Sequence, residues 1–286
     1  MEILKTTAEM MRWSANMQAA RMSVALVPTM GFFHAGHISL MRMATRKADQ
    51  VVVSLFVNPA QFGPGEDLTS YPQAFECDVA QARQAGVAVL FCPEPAEMYP
   101  PGFQTSVVVG GITRKLCGKS RPHHFGGVTT VVSKLFNLVR PHYAVFGEKD
   151  FQQLAVIRRM VVDLNIQVEI IGHHLVREKD GLAMSSRNAY LDRAERQQAL
   201  CLWHGLQAAR QHAMAGERRS AEIIKIARDV IGQHGSCAIE YIEIINKDTL
   251  ESRAIIDEDV ILALAVRIGQ TRLIDNGCLL HGEDHV

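Results

Sequence analysis

In the stretch PTMGFFHAGHISL, His34 and His37 stand three residues apart, just after an apolar run and Gly31. A helix beginning near Ala35 would carry both imidazoles on neighbouring faces of its first turn. Unsatisfied backbone N–H groups and the positive end of the helix dipole gather there, so the place suits phosphate. The dipole opposes a protonated imidazole and an arriving polyphosphate favours one, so the pair can gain charge with its ligand. Two other readings stay open. Both rings can cap backbone groups, or they can bind a metal, although no nearby carboxylate or cysteine supplies a third zinc ligand at a familiar spacing.

Two further segments carry groups of the same kind. In FGEKDFQQ, Gly147, Glu148, Lys149 and Asp150 end a strand-like run and open a helix. Lys149 can neutralise phosphate, and Asp150 can accept from a ribose hydroxyl or hold magnesium through water. The alternative is an exposed charged turn with an Asp cap. In DGLAMSSRN, two hydroxyls beside a guanidinium suit a mobile loop that grips a triphosphate, or an ordinary helix-entry loop. CGKS, from Cys117 to Ser120, ends like a phosphate-binding loop, but the glycine such a loop needs is Thr113, so it is rejected.

The elements that must position these groups are legible as periodicity. SVALVPTM, ADQVVVSLFVN, VAVLFCP, HYAVFG and IQVEIIG read as buried strands, and the amphipathic segments between them as crossover helices. The expected fold is α/β: a Rossmann-like parallel sheet in residues 1–175, then a smaller α+β domain over residues 176–286. In GVTTVVSKLFNLV, Val128, Val131, Val132, Leu135, Phe136 and Val139 form one helical stripe ended by Pro141. The second domain is expected to hold helices near 192–214 and 219–233, then strands AIEYIEII, DVILALAV and TRLIDN. Two Pro- and Gly-rich loops, Asn58–Pro72 and Cys92–Phe103, are long enough to be read as functional.

Composition narrows the partner. Among 286 residues, 30 basic side chains balance 30 acidic ones, so no global field would gather nucleic acid or an anionic membrane. A small-molecule substrate is expected. The N-terminal MEILKTTAEMMRW is unlike a signal peptide, and no apolar run approaches the ~18 residues that span a bilayer, so the expected location is cytoplasmic. The six cysteines show no metal-binding or paired spacing and read as free thiols.

Taken in order, VALVPTMGFFHAGH, VVVSLFVNPAQF, SRPHHFGGVTTVVSKLFNLV, AVFGEKDFQQLAVIRRMV and REKDGLAMSSRNAYL resemble the pantothenate synthetase family of HxGH nucleotidyltransferases, with TRLIDN a weaker match. The resemblance implies a ligase that joins pantoate and β-alanine through a pantoyl adenylate, consuming ATP with Mg2+ and releasing pyrophosphate and AMP. It implies ATP contacts at Met30, Gly31, Phe32, Phe33, His34, Ala35, Gly36, His37, Gly147, Glu148, Lys149, Asp150, Val176, Met184, Ser185, Ser186 and Arg187. His34, His37 and Lys149 would be catalytic, with His37 the proton donor in the family; electrostatic stabilisation is read as at least as large a part.

Gln61 and Gln153 would bind pantoate, with Asn58 a polar neighbour and Phe62, Val128 and Val131 an apolar wall. Gln61 and Arg121 would meet β-alanine, or Arg121 a phosphate. Asp78 is a candidate for the magnesium shell or, more simply, an exposed helix carboxylate. Phe32, Phe33, Gly126 and His142 depart from the commoner family pattern, which touches local packing rather than reaction class. A homodimer is also implied. An adenylyltransferase acting on an already phosphorylated substrate, or a nucleotide-binding module without turnover, are the rivals; the amides of NPAQF and FQQ favour an unphosphorylated hydroxy acid.

Overall fold

The computed structural model describes residues 1–235 and 237–280. The chain divides into two units: Met1–Glu148 with Gln152–His174, and Leu175 onward with Lys149–Phe151.

In the first unit β1 (Glu2–Leu4), β2 (Val24–Thr29), β3 (Gln50–Leu55), β4 (Val89–Phe91), β5 (Tyr143–Gly147) and β6 (Glu169–His173) form one parallel sheet, ordered β1-β4-β3-β2-β5-β6. The helices are α1 (Thr7–Ala19), α2 (Ala35–Lys47), α3 (Phe75–Gln84), the short α4 (Pro95–Met98) and α5 (Cys117–Ser120), α6 (His124–Val139) and α7 (Phe151–Asp163).

The valine runs are continuous because both faces of the sheet are covered. Alternate side chains leave a strand on opposite faces. Val52 therefore joins Met10, Trp13, Leu135, Ile157 and Met160 under α1, α6 and α7. Val51 and Val53 join Met41, Ala44, Val79 and Ala82 under α2 and α3.

The apolar stripe of α6 is core, the default for a valine stripe at helical spacing. Val128 and Val131, considered as a substrate wall, are 2% and 7% exposed within the larger cluster. The helix stops at Val139, where Arg140 turns to φ 49 ahead of Pro141. The edge strand β1 was not foreseen. Its three residues are too few to display a period, and they become a strand by pairing with β4.

In the second unit α8 (Arg193–Gln198), α9 (Cys201–Met214) and α10 (Ser220–Gly232) accompany β7 (Cys237–Asn246), β8 (Val260–Ile268) and β9 (Thr271–Cys278), an antiparallel sheet in the order β7-β8-β9. The helical pattern read across 192–214 is two helices, with Ala199 closing the first. The central strand β8 buries every residue from Val260 to Val266, which explains its uninterrupted apolar sequence. All six cysteines are free thiols. No helix of the described residues is long and apolar enough to cross a membrane.

One backbone crossing positions the first unit's loop. Near the start of α6, a Cβ added at Gly127 would lie 2.1 Å from the Ala60 carbonyl oxygen. Only glycine lets α6 lie against the turn Pro59–Gln61 this closely. Gly127→Ala is expected to cost about 1–3 kcal/mol through overpacking, read from urea denaturation; a loss under about 0.5 kcal/mol would show that the turn yields freely.

Candidate active site

The strand order reverses between β2 and β5, which pair in parallel at Ala25 with Tyr143 and Leu26 with Ala144. In open α/β sheets the crevice beyond the carboxyl ends of such a pair is the usual ligand site. β2 runs from Thr29 into Met30 and the HxGH segment, and β5 ends at Gly147 beside Glu148. The short α5, bearing CGKS, instead follows a 3-10 turn, Gly111–Arg114.

The loop after β2 is held by a buried carboxylate. Gly31 and Phe32 have φ of 86 and 54, so successive backbone N–H groups form a concavity suited to an anion. Asp78 fills it: Phe32 N–H donates to Oδ2 at 2.8 Å and Phe33 N–H to Oδ1 at 2.7 Å. A Cβ on Gly31 would stand 3.1 Å from Asp78 Oδ2. Burial pushes the Asp78 carboxyl above its ordinary range, and the two amide bonds oppose that shift.

Asp78 is 1% exposed, so it is not the exposed helix carboxylate of the simpler sequence reading. Each oxygen faces a backbone amide, and this carboxylate anchors the loop rather than standing open toward a magnesium shell. Among the described residues no group of three or more His, Cys, Asp or Glu side chains could hold a metal.

The helix α2 begins at Ala35, with His34 as its N-cap. Gly36 N–H donates to His34 Nδ1 at 3.2 Å and His34 N–H to His37 Nδ1 at 3.4 Å. The ring centroids are 4.1 Å apart. A neutral ring that accepts at Nδ1 carries its hydrogen on Nε2, so the Nδ1 bonds fix both the tautomer and the orientation of each imidazole. The structural and phosphate readings are therefore compatible. Phe33, 8% exposed beside Met41 and Ala44, brings its ring centroid within 5.6 Å of that of His37.

The turn after β3 brings Gln61 to Met30, its Nε2 donating to Met30 Sδ at 2.8 Å. Asn58 stands behind it, 1% exposed. Its Nδ2 donates to the Gly127 carbonyl at 3.1 Å and to Gln61 Oε1 at 3.3 Å. Asn58 is thus a support for Gln61.

Arg121 also differs from expectation. It grips Glu66 with Nε and Nη2, at 2.7 and 2.5 Å, and donates to the Gln61 carbonyl at 3.2 Å. Its guanidinium holds the Asn58–Pro72 loop, and the ion pair with Glu66 occupies the fork assigned to a substrate carboxylate. His124 Nδ1 lies 2.9 Å from the same Gln61 carbonyl.

Of the two adjacent glutamines on α7, Gln152 is buried and structural, bonding Cys117 N–H and the Ile112 and Lys115 carbonyls at 2.8 to 3.0 Å. Gln153 is only partly buried. Gly126 has open space where a Cβ would stand, so a larger family residue would fit. His142 Nδ1 accepts from Val24 N–H at 3.1 Å, a strand-end bond that accounts for the imidazole there.

The second unit gathers another set. Asn276 on β9 donates from Nδ2 to the Lys149 carbonyl at 3.0 Å. Lys149 Nζ lies 3.6 Å from Asp150. The neighbouring Asp275, fully buried in its side chain, pairs with Arg177 at 2.7 and 3.0 Å. The Arg177 guanidinium lies 4.3 Å from the Trp203 ring centroid. Arg177 bridges to Ala183, and Met184 N–H donates to the Val176 carbonyl at 3.0 Å. Ser185 then caps the 3-10 turn Ser186–Tyr190, accepting from Arg187 N–H at 3.2 Å. The Asp275-Asn276 pair in TRLIDN thus ties the Lys149 backbone and the Arg177 guanidinium, which also donates to the Gly181 carbonyl, to one strand.

The sequence profile of pantoate-β-alanine ligases matches residues 2–278. The chain belongs to that family. The ligase is 53% identical over 284 residues to a pantothenate synthetase of Geotalea uraniireducens, covering 99% of this chain and 100% of the relative. It is 52% identical to one of Geobacter sulfurreducens over the same shares. A pantothenate synthetase from Thermus thermophilus superposes on the ligase with a TM-score of 0.92 at 43% identity, covering 99% of this chain and 100% of that one. A pantoate-β-alanine ligase from Francisella tularensis, solved with β,γ-ATP and β-alanine, gives 0.81 at 30% identity over 99% of each chain. The motif resemblance and the expected fold class both hold, and the enzyme is a ligase that forms an amide bond.

Asp78→Asn keeps the shape of the anchor but sets an NH2 group against one backbone N–H. The expected outcome is a loss of about 1–3 kcal/mol in denaturant unfolding, together with slower ligation by the ligase. Unchanged stability and rate would remove Asp78 from the support of the HxGH loop.

Proposed function

We propose that the enzyme condenses pantoate with β-alanine in two steps at the expense of ATP. In the first, a pantoate carboxylate oxygen attacks the α-phosphorus of ATP, the bond to the bridging oxygen of the β-phosphate breaks, and pyrophosphate leaves. In the second, the β-alanine amine attacks the acyl carbon of the pantoyl adenylate, AMP leaves with the electron pair, and the amine proton passes to solvent. Pantothenate is the product.

The observation that carries this reading is the pair of imidazoles at the N-terminus of α2, each oriented by a bond at Nδ1, where the chain leaves β2 at the point of strand-order reversal. Such donors stabilise negative charge on a departing polyphosphate, and they need little reorganisation because their rings are already fixed. Lys149, Ser185, Ser186 and Arg187 add cations and hydroxyl groups for the phosphates. Val176 and Met184 offer backbone to the adenine. Gln61 and Gln153 supply amides able to give and accept hydrogen bonds with pantoate's hydroxyl and carboxylate oxygens. Attack by one bound anion on another depends on bringing the two together, which positioning supplies.

Magnesium is assigned to the ATP phosphates, since that ion keeps much of its water and takes few protein carboxylates. Arg121 meets β-alanine only by exchanging Glu66 for the substrate carboxylate. A cytoplasmic homodimer belongs to the same proposal and rests on the family resemblance.

Isotope exchange between ATP and pyrophosphate tests the scheme. Exchange is expected with pantoate alone, and net AMP release only when β-alanine is added; absence of pantoate-dependent exchange overturns the proposal. His37→Ala is expected to lower the exchange rate by about 10²–10³-fold, the usual effect of losing one donor to a developing oxyanion, with the folded state retained by circular dichroism.

A further inference from the structure

The Pro-rich loop Cys92–Phe103 contributes no residue to the scheme above, yet one of its side chains reaches the pantoate amides. Tyr99 closes α4, its N–H donating to the Pro95 carbonyl at 2.8 Å. Its ring is flanked by Phe56 and Phe103, with centroids 6.4 and 5.1 Å away, the second edge-on. That packing fixes where the hydroxyl points. The hydroxyl donates to Asn58 Oδ1 at 2.7 Å. Burial pushes the phenol up to about 12, so it is a protonated donor across the neutral range.

The amide of Asn58 has a defined sense. Its Oδ1 also accepts from Ala60 N–H at 3.2 Å, and its Nδ2 donates to the Gly127 carbonyl at 3.1 Å. Turning the amide over would set NH2 against N–H on one side and oxygen against oxygen on the other. Held this way, Asn58 offers a second N–H to Gln61 Oε1 at 3.3 Å, and Gln61 must then turn its own NH2 the other way, toward Met30 Sδ. A thioether is a weak acceptor, so a hydroxyl or carboxylate oxygen of the substrate is a better partner for that NH2.

We propose that Tyr99 is a positioning residue for the acid substrate, acting through Asn58 to hold the Gln61 amide with its NH2 group presented as a donor. The inference rests on the reading of Gln61 as a pantoate ligand only for its kinetic consequence; the orientation of the amide belongs to the folded protein alone. It gives the two long loops one shared purpose, since the first carries the amides and the second carries the hydroxyl that sets them. Tyr99 touches no reacting atom.

Tyr99→Phe removes the hydroxyl and keeps the ring between Phe56 and Phe103, so the variant should fold. In the ligand-free enzyme, the Gln61 side-chain NH2 resonances, assigned by their absence in Gln61→Ala, are expected to shift and to exchange faster with water in Tyr99→Phe. In turnover, KM for pantoate is expected to rise about 3- to 10-fold, as for one lost hydrogen bond, with KM for ATP and the melting temperature nearly unchanged. In the Gln61→Ala background the same substitution should have no further effect on KM for pantoate.

Unchanged Gln61 resonances in Tyr99→Phe overturn the relay, whichever acid the enzyme uses. So does an equal rise in KM with and without Gln61. If the wild-type enzyme shows no pantoate-dependent turnover while the resonances respond as expected, the substrate reading fails and the relay stands.

Discussion

The loop that carries both histidines depends on one buried carboxylate. The positive φ of Gly31 and Phe32 turns the N–H groups of Phe32 and Phe33 inward, and without a partner these buried donors would be costly. Asp78, on the opposite wall, accepts from both. Taking a carboxylate out of water is itself unfavourable, and the charge-assisted bonds from the two backbone amides are what offset it. The geometry downstream follows from this exchange: Gly31 has the φ that glycine tolerates, His34 arrives as the cap of α2, and the imidazoles are oriented before any ligand enters.

A second consequence concerns how the site is divided between residues that touch substrate and residues that hold those. Asn58, Arg121, His124 and Gln152 are polar and stand among candidate ligands in sequence, yet each satisfies neighbouring backbone or side-chain groups. Gln61 and Gln153 stay partly exposed, and the rings of His34 and His37 are oriented through Nδ1. A site that must bring two anions together needs rigid donors, because a donor that reorients during reaction loses part of its electrostatic benefit. Buried amide chains of fixed sense supply that rigidity at the cost of tolerating few substitutions.

Much of the fold was legible because burial writes itself into period. The valine runs of β2 and β3 announced strands covered on both faces, and the stripe of α6 announced a helix. What escaped was what a period cannot record. Three residues of β1 are too short to show alternation, and Ala199 divides a continuous helical pattern into α8 and α9. In the candidate site the HxGH pair was legible because its two histidines, its glycine and the following helix lie together in the chain. The part played by Asp78 was not, since it sits 46 residues from Phe32 and nothing local distinguishes it from a surface carboxylate. Tyr99 left a faint signal, a long Pro-rich loop, but its partner lies 41 residues away.

The sequence by itself determined the α/β class, the helix that begins at Ala35 and the family, because each is carried by residues near one another in the chain or by motifs in a fixed order. Tertiary structure alone decided which polar residues are presented and which are spent on support. Gln152 and Gln153 make the case: they are the same residue type, one position apart, and the helix turns one into a buried bond to α5 while the other stays partly exposed. The physical reason is that a polar side chain's role is set by whether its hydrogen-bonding capacity is already met, and the partners that meet it are distant in the chain and near only after folding.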